Sequence, residues 1–313
     1  MCNDYKITLS VVIVSYNVQQ FVLSAINSLN LYCLVPMQII VADNNSTDGT
    51  IDAIKKQFPQ VTIIANKANV GFSAANNQCF DICEGEFILM LNPDAELIDN
   101  SFQKMLDYLM KTSENELVLV GPKLINTDNS FQPSCWKFPS PLQHILELFF
   151  LNKLIDTTGY NFKDLHKEEN IDFLSGACIL MRKSMLHKLI GLDVNLFWMD
   201  DVDFGKRNIL NGGKNVYFPF TTVKHHRGKS SKKNQNIVIS NQIISKLKFY
   251  KKHKQYFYFY FSIFIFFFQI VSRIPLFFIL GIIKSHYLQK AKAYFYTLSR
   301  FFSYLLFGNQ NIL

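Results

Sequence analysis

The segment FWMDDVDFGKR, residues 197–207, sets three carboxylates, Asp200, Asp201 and Asp203, within four positions beside aromatic side chains. Like charges that close raise one another's pKa, so such a cluster serves a cation, a proton or a helix start. The plain alternative is a solvated helix N-terminus, where the dipole favours aspartate. Asp43 opens DNNSTDGT, residues 43–50, where it could accept bonds from a base or ribose, while Ser46, Thr47 and Asp48 suit the cap of a following helix. Asp94 lies in LNPDAE, residues 91–96, with Pro93 fixing the turn and Asn92 as an uncharged acceptor. Carboxylate oxygen is what a hard divalent cation such as Mg²⁺ or Mn²⁺ takes, usually beside substrate phosphates. His225, in VKHHRGKS, could complete coordination or touch phosphate, although a lone exposed His with neither role is the commoner case.

These residues need elements to carry them. ITLSVVIVSY, QIIVADN, VTIIAN and EFILMLNPD are short, β-branched or apolar runs of the kind buried on both faces of a sheet. FVLSAINSL, TIDAIKKQF and FSAANNQCFDIC fall between them with helical spacing. Alternating strand and helix predicts a parallel sheet with right-handed crossovers, whose ligands sit at the carboxyl ends of the strands. That edge would collect Tyr16, Asn17, the 43–50 and 66–72 clusters, and LNPDAE. Residues 121–170 read as a polar, Pro-containing stretch. IDFLSGACILMRK then resumes strand character, SMLHKLIG a short helix, and NVYFPF and TTVKHH two late strands. Neither GxGxxG nor GxxxxGK[ST] occurs, which excludes the dinucleotide fingerprint and the P-loop.

The net charge of +8 is unevenly spread, since Asp203 is the last acidic residue and 18 of the 32 Lys and Arg follow it. The expected domains are a catalytic one over 1–250 and a basic, aromatic, membrane-associating helical tail over 251–313. YFYFYFSIFIFFFQIVS, residues 256–272, is 17 residues without a charge, interrupted by Arg273 before IPLFFILGII. A crossing needs roughly 20 apolar residues, and Arg273 adds about 2.5 to 3.5 kcal/mol to any extension. Lys and Arg flank both sides, so a single crossing would export one basic flank. Re-entrant or interfacial helices are therefore expected, with Tyr294, Phe295, Leu298, Phe301, Phe302, Leu305 and Leu306 as one apolar face. A core helix packed on the catalytic domain is the competing reading. Massed aromatics do not suit nucleic acid, where stacking residues are interspersed with polar ones. The six cysteines form no CxxC pair and read as reduced thiols. The start, MCNDYKITLS, has no basic region followed by an apolar run, so no signal peptide is expected and the catalytic part is placed in the cytosol.

The ordered series VVIVSYN, DNNSTDGT, NVGFSAANN, LNPD, FLSGACILMRK, DDVDFGKR and KHHRGKS, across residues 7–231, resembles glycosyltransferase family 2, in particular its rhamnosyltransferase-like bacterial members. The resemblance implies an α/β GT-A fold with a mostly parallel central sheet flanked by helices, here followed by the aromatic helical appendage. It implies an inverting transfer from a nucleoside-diphosphate sugar, a UDP- or dTDP-sugar such as dTDP-rhamnose, aided by Mg²⁺ or Mn²⁺. Carried onto this sequence, Tyr16, Asn17 and Asp43 would hold the nucleoside, and Asn69, Gly71 and Asn76 would shape the base and ribose pocket. Asn92 and Asp94 occupy the family's DxD position, Asn92 in place of its first acid, and Asp94 would bind the metal. Gly176 and Ala177 would lie under the donor sugar and acceptor. Asp201 would be the general base with Asp200 beside it, where the family usually has Glu, and His225 matches the His after the last core strand.

The acceptor is expected to be a glycan hydroxyl, carried on a polyprenyl lipid, at the cytoplasmic face of the inner membrane during cell-surface polysaccharide synthesis. Two rivals stay open. A nucleotidyltransferase would want a Gly-rich, Lys/Arg-bearing loop after the first strand, where this chain has SYNVQQ. A non-catalytic membrane-associated scaffold would keep the fold without transfer.

Overall fold

The computed structural model describes residues 7–151, 159–160, 166–226 and 235–308. The opening hexapeptide, Cys2 with it, and residues 227–230 of KHHRGKS lie outside them. Two compact units result, one of residues 1–138, 158–194 and 200–230, the other of 139–157, 195–199 and 231–313.

In chain order the first unit begins with β1 (Leu9–Ser15), α1 (Gln19–Tyr32), β2 (Met37–Asp43), α2 (Thr50–Gln57), β3 (Thr62–Ala65), α3 (Phe72–Phe80) and β4 (Phe87–Leu91). It continues with β5 (Ala95–Leu97), α4 (Phe102–Met110), β6 (Val118–Ile125), β7 (Phe131–Gln132) and β8 (Cys135–Trp136). After α5 (Pro141–Leu148), which belongs to the second unit, come β9 (Glu169–Ile171), β10 (Phe173–Leu174), β11 (Cys178–Arg182), α6 (Ser184–Leu189), α7 (Asp200–Leu210) and β12 (Lys214–His225).

The strand order is β3-β2-β1-β4-β11-β6-β12-β5, with β7 paired to β6 and β9 to β12, while β8 and β10 form a separate pair. β1 to β4 are mutually parallel, as alternating strand and helix predicts, and Ser15, Asp43 and Ala65 end in register at one edge. Beyond them the sheet is mixed. β11 runs antiparallel to β4 with Cys178 opposite Leu91, which brings the approach to β11 to the exit of β4. β12 runs antiparallel to β5 with His225 opposite Ala95, which returns His225 to the same exit. Burial alternates as a sheet covered on both faces requires: Leu9, Val11 and Ile13 join one apolar cluster, Val12 and Val14 the other.

Two expectations need correction. Residues 121–170, read only as a polar, Pro-containing stretch, hold the end of β6, then β7, β8, α5 and the start of β9. The two late strands are one, β12, whose register against β6 shifts between Phe218 and Thr222. Pro219 lies in that shift and Pro122 faces Phe218, so two residues without an N–H fall where the ladder is already broken.

The five described cysteines are free thiols, as expected. Burial pushes Cys79, Cys135 and Cys178 up to about 12, so they stay protonated and inert.

The second unit is helical: α5, then α8 (Gln235–Lys252), α9 (Tyr256–Ile283) and α10 (His286–Phe307). α9 does not break at Arg273 but runs 28 residues through it and Pro275, about 42 Å at 1.5 Å per residue. Ser262, Phe266, Gln269 and Ile270 face a core shared with α8 and α10, whereas Phe257, Tyr260, Phe264, Phe278 and Ile282 are exposed. α9 is the one described helix long and apolar enough to cross a membrane. The face expected on α10 splits: Tyr294 and Phe301 are buried, while Phe295 and Leu306 are exposed.

Candidate active site

The sheet edge carries a polar strap across its first two loops. Asn17, held at φ 53°, donates its N–H to Ser46 Oγ at 2.8 Å and accepts from Thr47 N–H at 2.8 Å. Asp48 accepts from Gln19 N–H at 2.9 Å and from Thr50 Oγ1 at 2.5 Å, joining the starts of α1 and α2. Asn17 is thus a loop tie, while neighbouring Tyr16 is exposed. Asp43 is fully buried, with Oδ1 accepting from Ser46 N–H at 2.8 Å and Oδ2 lacking a partner. Ser15 Oγ, in register beside it, is also buried without a partner. Buried polar atoms left this way cost free energy that a ligand's donors would recover.

The 66–72 loop is fixed by Asn69 Oδ1, which accepts from Gly71 N–H at 3.0 Å, and by Gly71 O, which accepts from Asn44 Nδ2 at 3.3 Å. Gly71 sits at φ 87°, a backbone state that favours glycine. Buried Asn76 donates back to Phe72 O at 2.9 Å, within α3.

The acidic pair opens α7. Asp200 Oδ2 accepts from Ser73 Oγ at 3.0 Å, so the start of α3 meets the start of α7. Asp201 Oδ2 accepts from Gly176 N–H at 3.2 Å, and its Oδ1 from Val202 N–H at 2.8 Å. Burial pushes Asp201 up to about 7, with the Asp200 charge adding to it, and burial also raises Asp200. A carboxylate that titrates near neutrality can take up a proton and release it. Asp203 is different. It is fully buried and receives Arg207 Nε at 2.7 Å, while Arg207 also donates to Leu189 O and, at 2.8 Å, to Gly191 O.

The second centre lies at the exits of β4 and β12. His225 Nε2 stands 3.3 Å from Asp94 Oδ1 and 3.4 Å from Asn92 Nδ2. Gln132 sets the imidazole: its Nε2 donates to Asn126 Oδ1 and to His225 O, which turns its carbonyl oxygen to His225 Nδ1 at 2.7 Å. Nδ1 therefore carries the proton, and in the neutral ring the Nε2 lone pair faces the Asp94 carboxylate. A proton on Nε2 would close this as an ion pair, and without it the Nε2 lone pair and the carboxylate offer a divalent cation two ligands, with the ring held from behind. Asn92 N–H donates to Ala177 O at 2.9 Å, next to the Gly176 that binds Asp201, so both centres adjoin the same end of the β4–β11 pair. A cleft of about 570 Å³ lined by Asn77, Lys183, His187 and Ile190 contains none of these carboxylates.

Residues 10–190 match the sequence pattern described as Glycosyl transferase family 2. The chain belongs to that family. Over 239 residues it is 30% identical to the N-acetylglucosaminyl-diphospho-decaprenol L-rhamnosyltransferase of Mycobacterium tuberculosis, across 71% of this chain and 77% of that one. Its fold is GT-A. The mannosyltransferase PcManGT from Pyrobaculum calidifontis, solved with GDP-Man and Mn²⁺, superposes with a TM-score of 0.57 at 14% identity, over 97% of this chain and 88% of that one. GalNAc-T7, solved with UDP, GalNAc and Mn²⁺, gives 0.54 at 16% identity over 79% of this chain, which spans 50% of GalNAc-T7.

Within this glycosyltransferase frame, three contributors escaped sequence reasoning: Ser73 on Asp200, Gln132 behind His225, and His226. His226 N–H donates to Asp94 O at 2.9 Å, and its ring contacts Glu96 at 2.9 Å and Thr127 at 2.9 Å. Ser73 stands two residues after the loop glycine at a helix start, a signal that could have been read. Gln132 lies in the 121–170 stretch, to which the sequence assigns no elements and where nothing local marks it.

Proposed function

We propose that this family member is a metal-dependent, inverting transferase that moves a sugar from a UDP- or dTDP-sugar to a hydroxyl of a lipid-carried glycan. The reading is supported first by Asp201, a carboxylate raised to about 7 and oriented by Gly176 N–H at the start of α7. Asp43 Oδ2, with Ser15 Oγ beside it, offers unmet hydrogen-bonding capacity to the nucleoside, Tyr16 offers a ring, and the strap through Asn17 holds their loop. Asn69, Gly71 and Asn76 keep the 66–72 loop and the start of α3 in shape around the base and ribose. Asp94 and His225 hold the divalent cation, Mg²⁺ or Mn²⁺, with Asn92 alongside. The cation supplies charge neutralisation at the diphosphate.

Asp201 accepts the proton of the incoming hydroxyl as that oxygen bonds to the anomeric carbon and the bond from that carbon to the diphosphate breaks. Asp200, tied to Ser73, keeps negative charge beside Asp201 and so keeps it basic. Gly176 and Ala177, without bulky side chains, leave room for the sugar. No enzyme-bound sugar is needed, so the configuration inverts. The test is transfer from a panel of UDP- and dTDP-sugars to a prenyl-diphosphate-linked N-acetylglucosamine with Mn²⁺; one donor should give a product of inverted linkage. No product from any donor, with donor hydrolysis also absent, would favour the scaffold reading.

The lipid acceptor and a cytoplasmic-face location are supported by the tail. No acidic residue follows Asp203, and α9 and α10 expose Phe257, Tyr260, Phe278, Ile282, Phe295 and Leu306. A basic, apolar surface of that kind suits an anionic bilayer. The full chain should float with phosphatidylglycerol vesicles, while a Phe257→Ser, Phe278→Ser, Ile282→Ser variant stays at the bottom of the gradient. Equal flotation of the two would remove the tail argument.

A further inference from the structure

Arg273 is the one charge inside α9, and its surroundings do not neutralise it. Nη1 donates to Tyr294 OH at 2.5 Å and Nη2 to Glu147 O at 2.5 Å, both uncharged acceptors. Gln269, with its amide turned to satisfy both groups, adds a carbonyl oxygen at 2.9 Å, again uncharged. The Glu147 carboxylate is taken by Lys246, whose Nζ lies 2.9 Å from each of its oxygens. Among the described residues no carboxylate comes within ion-pair distance of Arg273, and its Nε is buried without a partner. Arg273 is half-buried, and a cation partly withdrawn from water without a counter-charge carries a desolvation cost that falls when an anion arrives.

The place for that anion is an open surface groove of about 590 Å³ bordered by Arg273, Leu148, Phe149, Phe264, Phe268 and Leu276. Its lining is otherwise almost wholly apolar. Phe150 closes one side in a strained backbone state, φ 59°, with its ring 4.6 Å from the guanidinium carbon. One positive group beside a greasy slot selects an amphiphile with an anionic head. Which amphiphile follows from α9 itself. Lys251, Lys252 and Lys254 precede it and Lys284, Lys290 and Lys292 follow it, so both ends seek the same anionic surface. A helix lying along that surface sets Arg273 at headgroup depth and not in the hydrocarbon centre.

We propose that this pocket seats the headgroup phosphate of an anionic phospholipid against Arg273, with an acyl chain along Phe264, Phe268 and Leu276. The inference rests on the tail meeting a membrane as proposed above, but it is measured in detergent micelles, so the two ideas fail separately. Native mass spectrometry of the full chain in micelles, titrated with phosphatidylglycerol or phosphatidylcholine, should show one retained phosphatidylglycerol bound about tenfold more tightly, about 1.4 kcal/mol. Arg273→Gln should bring the two lipids within about twofold of each other. Leu276→Trp, which fills the slot and keeps the charge, should weaken both, and it decides the matter if Arg273→Gln does not fold. Equal binding of the two lipids by the parent chain, or unchanged binding by Leu276→Trp, overturns the proposal. So does displacement of phosphatidylglycerol by inorganic phosphate, which would mark a free-anion site.

Discussion

Asp201→Asn lowers turnover by about 10² to 10⁴, the usual worth of a positioned base, and at the same time raises the melting temperature at pH 8. Both effects come from one group. In the folded protein burial and Asp200 push Asp201 up to about 7, whereas the unfolded chain gives up that proton near the ordinary aspartate value of about 3.9. Between those values the folded state holds a proton that the unfolded state has lost. The stability tied to that proton is complete below the lower value and is lost as pH rises through about 7. Asparagine has no proton to lose, so the variant avoids the loss. A gain of 1 kcal/mol is worth about 2 to 4 °C in a domain this size, and melts at pH 5.5 and 8 should show the gap between the two proteins narrower at the lower pH. The parent's kcat/KM should climb with pH through about 7 as the base of the free enzyme ionises. Near-normal transfer by Asp201→Asn would end its assignment as the base.

Loss of the Asp94 carboxylate is the second large effect. Asp94→Asn leaves His225 Nε2 facing a neutral amide, so the cation loses its charged ligand while Gln132 still holds the ring. In the parent, Mn²⁺ with UDP or dTDP should raise the melting temperature by mass action, about 2.7 kcal/mol at a hundredfold excess over Kd. The variant should gain little from the same mixture, and its turnover should fall by about 10² or more as the leaving diphosphate goes unneutralised. A variant that gains as much from Mn²⁺ and nucleotide as the parent does would show that the cation is held elsewhere.

The N-terminal half was legible because β1, β4 and most of β2 are buried on both faces and so are written mostly in apolar residues, while β3, an edge strand that is only half-buried, is still a short apolar run between turns. β6 was not, though it is just as buried, because Gly121 and Pro122 interrupt its run, and their fit depends on a register shift in a strand almost a hundred residues later. Pro219 hid the continuity of β12 in the same way. In the tail, Arg273 and Pro275 look like breaks, yet Arg273 finds Tyr294 and the Glu147 carbonyl, partners that only packing supplies. The site divides along the same line. Residue types at strand exits pointed to Asp43 and Asp94 and the clustering of carboxylates to Asp200 and Asp201, while the bonds around them join Ser73 to Asp200 and Asn92 to His225 from more than a hundred positions apart.

The closed pairing of Asp203 with Arg207 has a kinetic meaning. Arg207 fastens the first turn of α7 to the carbonyls of Leu189 and Gly191, so the turn bearing Asp200 and Asp201 is clamped before any substrate arrives. If Asp201 is the base proposed above, the incoming hydroxyl would meet an acceptor whose orientation was settled during folding, and the entropy of aligning the two would be reduced to that of the sugar alone.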